Sequence, residues 1–261
     1  ITSASFSPDG SEILICGRGK HWVVFDLHAA QARRVPGVMG RTDASFKAVI
    51  PSPDGSTISL VSESGALLLL SSKTKQLIGT LQAPTAAKFA SQCLAYSPDG
   101  AYLHAGSNGA AVQLWDVRRR CCVHTWSDRG GVRCSALGAS PDGKMLAAGA
   151  DSGAVNLYRV EELVTSARPT PVKEMLNLTT AITEVRFNPT SELLAFGSKY
   201  TKSSFRCAHV GGRSVFPNWP TAATPLGYVQ SCAFSPRSGF LATANDKGRV
   251  LLYRLNHFSD V

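Results

Sequence analysis

Short apolar runs alternate with polar punctuation along the whole chain. Each cycle opens with a run such as "ASF", "KAVIP", "CLAY", "EVRF" or "SCAF", followed by a polar turn. A second run comes next: "EILICG", "TISLVS", "YLHAGS", "MLAAGA", "LLAFGS" or "FLATAN". Another polar turn leads to a third: "HWVVFDL", "GALLLLS", "AAVQLWDV", "GAVNLYRV", "SFRCAHV" or "GRVLLYRL". A fourth, more polar segment usually follows, as in "KQLIGTLQ" and "CCVHTWS". Runs this short, rich in β-branched residues, bounded by frequent turn signals and lacking a sustained helical period, predict strands. One segment breaks the rhythm. "EELVTSARPTPVKEM", Glu161 to Met175, carries two prolines and predicts an exposed loop or a helical insertion.

The first turn of each cycle is the most regular element. "SPDG" begins at Ser7, Ser52, Ser97 and Ser140, and degenerate copies begin at Asn188 ("NPTS") and Ser235 ("SPRSG"), in steps of 45, 45, 43, 48 and 47 residues. Ser at the first position, Pro at the second and Gly at the fourth are what a type I turn favours, so each copy joins a hairpin. Four short antiparallel strands in a repeat of this length make one propeller blade. Blades are covered on both faces, so Leu67 to Leu70 and Val250 to Leu252 are expected to be apolar and buried on both sides. The pattern predicts an all-β propeller with at least six blades, forming a single domain over residues 1–261. Ile1 opens directly in a strand and the last cycle has no fourth strand, so upstream residues of a longer protein are expected to supply the closing strand and a seventh blade.

The pair Trp115-Asp116 at the end of a third strand makes these repeats resemble WD repeats. The equivalent positions elsewhere read Phe25-Asp26, Tyr158-Arg159 and Tyr253-Arg254. The Gly-His dipeptide usual in that family is absent, which leaves the buried His-to-Asp network of such blades unsupported, and Asp151 and Asp246 occupy the turn position without that histidine. "MLNLTTAITEVRFNPTSELLAFGS", "FSPRSGFLATANDKGRVLLYRLNHFSDV" and "LLLLSSKTKQLIGTL" are more particular: they resemble the C-terminal propeller of the U3 small nucleolar RNA-associated protein 18 family. That resemblance implies a noncatalytic scaffold of the small-subunit processome in the nucleus and nucleolus. It also implies work within the UtpB subcomplex on the pre-ribosomal RNA that yields 18S rRNA. The partners implied are other UtpB proteins, with U3 small nucleolar RNA or pre-rRNA as candidate nucleic-acid partners. The alternative is an unrelated WD-repeat adaptor, such as a ubiquitin-ligase substrate receptor whose basic face grips an acidic peptide.

Composition narrows the chemistry. The longest greasy patch, "GALLLLSS" at Gly65 to Ser72, is too short to span a bilayer, so no membrane role is expected. Seven cysteines, at 16, 93, 121, 122, 134, 207 and 232, show no CxxC spacing and mostly sit in apolar runs. They predict reduced thiols rather than a zinc site or disulfide framework. Six histidines, at 21, 28, 104, 124, 209 and 257, have neither HxxxH nor HExxH spacing, so no catalytic centre, metal or cofactor is expected, and no small-molecule substrate.

The formal net charge of +9 instead suggests a polyanionic or acidic partner. Loops between second and third strands, and between blades, share one face, which collects Arg18, Lys20, Arg41, Lys88, Arg129, Arg133, Lys199, Lys202 and Lys247. The opposite face carries Lys73, Lys75, Lys144, Arg237 and the run Arg118, Arg119 and Arg120. Phosphate contacts by such groups give salt-dependent, largely sequence-independent affinity. Tyr200 and Phe205 are the aromatic platforms expected near these bases.

Overall fold

A computed structural model describes residues 1–37, 44–81, 91–221 and 223–258. Among the described residues six antiparallel sheets follow one another, each with its strands hydrogen-bonded in sequence order. The first holds β1 (Ser3–Phe6), β2 (Glu12–Cys16), β3 (Trp22–Asp26) and β4 (Gln31–Val35). The second holds β5 (Phe46–Pro51), β6 (Thr57–Ser62), β7 (Leu67–Ser71) and β8 (Leu77–Leu81). The third holds β9 (Ser91–Tyr96), β10 (Tyr102–Ser107), β11 (Ala111–Asp116) and β12 (Cys121–Ser127). The fourth holds β13 (Cys134–Ala139), β14 (Met145–Ala150), β15 (Val155–Arg159) and β16 (Lys173–Met175). The fifth holds β17 (Glu184–Phe187), β18 (Leu193–Gly197), β19 (Phe205–His209) and β20 (Ser214–Val215). The sixth is three-stranded among the described residues: β21 (Val229–Phe234), β22 (Phe240–Asn245) and β23 (Val250–Arg254). These are six blades of an all-β propeller fold. The segment at 161–175 resolves into a one-and-a-half-turn helix, α1 (Val160–Thr165), a loop and edge strand β16.

The chain divides into two compact units, one of Ile1–Asn108 with Gln113–His124 and one of Gly109–Val112 with Thr125–Val261. Within the first unit, Leu14, Trp22 and Val24 of the first blade pack with Ile58, Leu60, Leu68 and Leu70 of the second. The other face of the second blade presents Val61, Leu67 and Leu69 to Leu94, Leu103 and Trp115 of the third. In the second unit, Ala147, Val155 and Leu157 pack with Val185, Leu194 and Phe196. Beyond them, Phe205 and Cys207 pack with Val229, Cys232 and Leu241. Successive side chains of a strand point to opposite faces, so a strand between two such cores must be apolar throughout. Leu67 to Leu70 meets that requirement, with every side chain at most 2% exposed. Val250 and Leu252 do not: they are 69% and 64% exposed, because no described sheet packs on their face.

The recurring turn does more than bend the chain. Ser7, Ser52, Ser97 and Ser140 each donate the hydroxyl to the Asp two residues on, at 2.5 Å. Each also accepts the amide of the residue five on, at 2.9 to 3.0 Å. The fourth residue donates its amide to the carbonyl of the first, and its φ is about +70°, where glycine has no steric penalty: Gly10, Gly55, Gly100 and Gly143. In the degenerate copies Ser191 and Ser238 take the same left-handed conformation, at φ 63° and 62°. Asn188 replaces the serine, its Oδ1 accepting the Leu193 amide at 2.7 Å.

Candidate interaction surface

In the second unit a chain of contacts joins the loops that carry the predicted bases. Asp151, in the β14–β15 turn, accepts the amides of Val132 and Arg133 at 3.2 Å each, and its other oxygen lies 3.8 Å from the Arg133 guanidinium. Ser152 donates to the Gly130 carbonyl at 2.9 Å. The next inter-blade loop reaches the same turn, where the Ile182 amide donates to the Ala150 carbonyl at 3.1 Å. From there Thr180 donates to Ser198 at 2.8 Å, the Ser203 amide donates to the Gly227 carbonyl at 2.7 Å, and Asp246 accepts the Tyr228 amide at 3.2 Å. Arg129, Arg133, Lys199, Lys202 and Lys247 therefore occupy one continuous face of this unit, and all five are exposed. The two turn aspartates hold backbone amides of the neighbouring loop, which is the role they play without a histidine partner.

A buried network fixes the first of these loops. Asp128 is 6% exposed, and its Oδ1 accepts the Tyr158 hydroxyl at 2.7 Å and the Asn156 amide at 2.9 Å. The Tyr158 hydroxyl accepts the Arg129 amide at 3.1 Å, and Asn156 also donates to the Arg129 carbonyl. Tyr158 packs edge-on against Trp126, with ring centroids 5.0 Å apart. Burial pushes the Asp128 carboxyl above the usual aspartate range, and Oδ2 has no hydrogen-bond partner among the described residues. Both peptide groups of Arg129 are thereby held while its side chain stays in solvent. The sequence signal for this network was Tyr158 itself, standing where the first repeat carries Phe25: a buried phenol calls for a polar partner that phenylalanine does not.

Arg18 and Lys20 are exposed in the β2–β3 loop of the first unit, while Arg41 and Lys88 lie outside the described residues. The triple arginine divides between two environments. Arg118 and Arg120 line a small 160 Å³ depression with Asp54 and Asp99. Arg119 is 83% exposed and 3.8 Å from Asp116. Arg120, at φ +55°, donates to the Ile78 carbonyl at 3.0 Å and lies across Gly79. Lys75 is not a surface base: it is 9% exposed and pairs with Glu12 at 2.5 Å, tying the β7–β8 turn to the first blade.

Tyr200 is 62% exposed, with the Lys199 ammonium 5.7 Å from its ring centroid, so it can offer a face to a base or planar cation. Phe205 is fully buried in the core between the fifth and sixth blades and offers no stacking surface. Arg33 and Arg34, on edge strand β4, are exposed bases that a search confined to loops passes over. None of the seven cysteines is in a disulfide. Among the described residues no three of His, Cys, Asp and Glu gather as a metal site. Burial without a charged partner depresses His104 to about 4, the behaviour of a core histidine.

Comparison with known proteins adds a lineage to this geometry. Residues 75–116 and 120–159 match the family described as WD domain, G-beta repeat. The chain is 36% identical over 260 residues to the U3 small nucleolar RNA-associated protein 18 homolog of Arabidopsis thaliana, covering 100% of the chain and 47% of the relative. It is 36% identical over 262 residues to the Mus musculus homolog, covering 100% and 47%. Against the Homo sapiens homolog the figures are 34% over 262 residues, 100% and 46%. The chain thus spans about half the length of the curated relatives it matches.

Proposed function

This chain belongs to the WD-repeat propeller family of the U3 small nucleolar RNA-associated protein 18 homologues, and from that premise we propose that it is a noncatalytic scaffold of the small-subunit processome. In this reading residues 1–261 form the propeller domain of a longer protein in the nucleolus. It holds other UtpB proteins, and U3 small nucleolar RNA or pre-rRNA, during maturation of 18S rRNA.

The observation that carries the reading is the continuous face bearing Arg129, Arg133, Lys199, Lys202 and Lys247, whose loops are hydrogen-bonded to one another and to the blades below. Cations carried on loops whose main chains are already held bind phosphate with little backbone ordering cost and without base readout. A scaffold that meets folded RNA and several proteins needs that kind of stiff, multivalent frame.

The test is affinity purification of the tagged full-length protein with and without RNase. Recovery of U3 RNA with processome proteins, and survival of a protein core after RNase, supports the reading. Recovery of ligase subunits or a single acidic partner without pre-ribosomal RNA overturns it.

A further inference from the structure

Seven hydroxyl residues in the chain are followed directly by proline: Ser7, Ser52, Ser97, Ser140, Thr170, Thr224 and Ser235. Six of them are engaged. The four "SPDG" serines donate to aspartate and accept an amide, as described above. The Ser235 hydroxyl accepts the Phe240 amide at 3.0 Å, and Thr224 Oγ1 accepts the Thr221 amide at 3.0 Å. Thr170 differs in each respect. It is exposed in the loop between α1 and β16, and its side chain makes no hydrogen bond among the described residues. It is also the one member of the set with a basic residue three positions on, Lys173, which is exposed, as is Arg168 two positions before it.

The backbone around Thr170 is prepared for capture by an extended-peptide groove. Pro169 and Pro171 flank it; proline fixes φ, and the residue before a proline is driven out of the helical region. Neither proline has an N–H, so the segment cannot enter the ladder of the adjoining sheet. Its ends are anchored: the Ser127 amide donates to the Ala167 carbonyl at 2.9 Å and the Val172 amide to the Leu157 carbonyl at 2.7 Å. Pro169 is buried while Thr170 faces solvent. Beyond it, β16 is an edge strand of three residues, and such short edges open locally at low cost, which frees Lys173.

We propose that Thr170 is the acceptor for a proline-directed protein kinase, one whose groove takes a hydroxyl residue followed by proline and a base three positions on. Thr170 Oγ1 forms a bond to the γ-phosphorus of Mg-bound ATP. The bond from that phosphorus to the β–γ bridging oxygen breaks, ADP leaves with the electron pair, and the hydroxyl proton passes to the kinase's carboxylate base. The product places a near-dianion between Arg168 and Lys173, turning a locally basic loop acidic.

The full chain is incubated with cyclin-bound cyclin-dependent kinase and MgATP, with sites mapped by mass spectrometry and kinase competence checked on a free peptide of residues 166–176. Phosphate is expected on Thr170 and not on the turn serines, Thr170→Ser retains it, and Thr170→Ala abolishes it. Lys173→Ala, which removes one charge-assisted contact, slows it about tenfold. The proposal is overturned if the peptide is modified and the folded chain is not, or if labelling of the folded chain survives Thr170→Ala.

Discussion

The Tyr158 hydroxyl gives its proton to Asp128 at 2.7 Å and receives the Arg129 amide at 3.1 Å, so a single oxygen couples a buried acid to the loop that carries an exposed base. Tyr158→Phe removes that oxygen while keeping the ring against Trp126. Asp128 then loses one of its two side-chain donors and the Arg129 amide loses its acceptor. The expected cost is about 1–3 kcal/mol in urea unfolding, the range for leaving buried polar groups unsatisfied. Amide exchange at Arg129 is expected to accelerate more than at the strand centres. An unchanged midpoint would mean that solvent replaces the hydroxyl without penalty.

The hairpin turns differ in burial, and their energetics should follow. Ser52 is fully buried, and its hydroxyl contacts Asp54, the Thr57 carbonyl and the Thr57 amide. Ser7 is only half-buried, and its hydroxyl contacts Asp9 and the Glu12 amide. Ser52→Ala is expected to cost about 1–3 kcal/mol and Ser7→Ala roughly half of that or less. Equal effects in denaturant titrations would show that turn geometry alone, rather than burial of the hydrogen-bonded serine, sets the contribution.

Acid stability has two opposed contributions. Hydrogen bonds from the Ser7 hydroxyl, and then from Ser11, hold Asp9 down to about 2, and the Ser97 hydroxyl and the Ala101 amide act likewise on Asp99. A depressed carboxyl contributes stability above its unfolded pKa, and that contribution is lost as pH falls through the folded value. Asp128, raised by burial, has the reverse sign: its contribution is present below the ordinary aspartate pKa and is lost as pH rises through the raised folded value. The stability of the native chain relative to Asp9→Asn should therefore increase with pH across the acid limb. Relative to Asp128→Asn it should decrease above the ordinary aspartate pKa. Urea midpoints measured against pH for the three proteins check both slopes, and slopes of the same sign would refute the assignment.

Gly153 tests how tightly the loops of the basic face are joined. Its φ is +93°, and a Cβ there would run into the Leu178 carbonyl of the adjoining inter-blade loop. Gly153→Ala combines backbone strain with a clash against main chain, which side-chain rotation cannot relieve. A loss of about 2–4 kcal/mol is expected, read as a lower thermal midpoint. Gly10→Ala is the comparison: φ is +71° but nothing lies within 4 Å of the added atom, so the cost should be about 1 kcal/mol.

Much of this arrangement was legible in the residues, for a physical reason. The "SPDG" turn is local chemistry, with donor, acceptor, fixed φ and left-handed position all within six residues, so period and strand order followed from it. What depends on a neighbour distant in sequence was not legible. Val250 and Leu252 read like Leu67 to Leu70, yet exposure depends on whether another sheet covers the face. Lys75 read as a turn base because its partner, Glu12, lies 63 residues away. Phe205 sits among loop-like polar residues, but strand parity turns it inward against Val229 and Leu241. The loops carrying Arg129, Arg133, Lys199, Lys202 and Lys247 in the second unit were legible; the hydrogen bonds that join them were not.

If the basic face binds RNA phosphates, its contribution is measurable as a salt dependence rather than as a sequence preference. Each cation that neutralises a phosphate of a single strand contributes roughly 0.7 to the magnitude of the slope of log K against log salt. Replacing Arg129, Arg133, Lys199 and Lys202 together by alanine should then reduce the slope by about 2–3 and weaken binding at about 50 mM salt far more than at about 200 mM. All four side chains are exposed, so the variant should fold, although Arg133 gives up its pairing with Asp151. Lys144→Ala with Arg237→Ala removes two exposed bases from the hairpin-turn side and should leave the slope unchanged. Tyr200→Ala should cost about 1–3 kcal/mol if a base stacks on its exposed ring, with little change in slope because stacking releases no counterions. Titration of a fluorescent single-stranded RNA at several salt concentrations separates these effects. Equal slopes for the native chain and the fourfold variant would remove RNA from this face and leave acidic protein partners as its ligands.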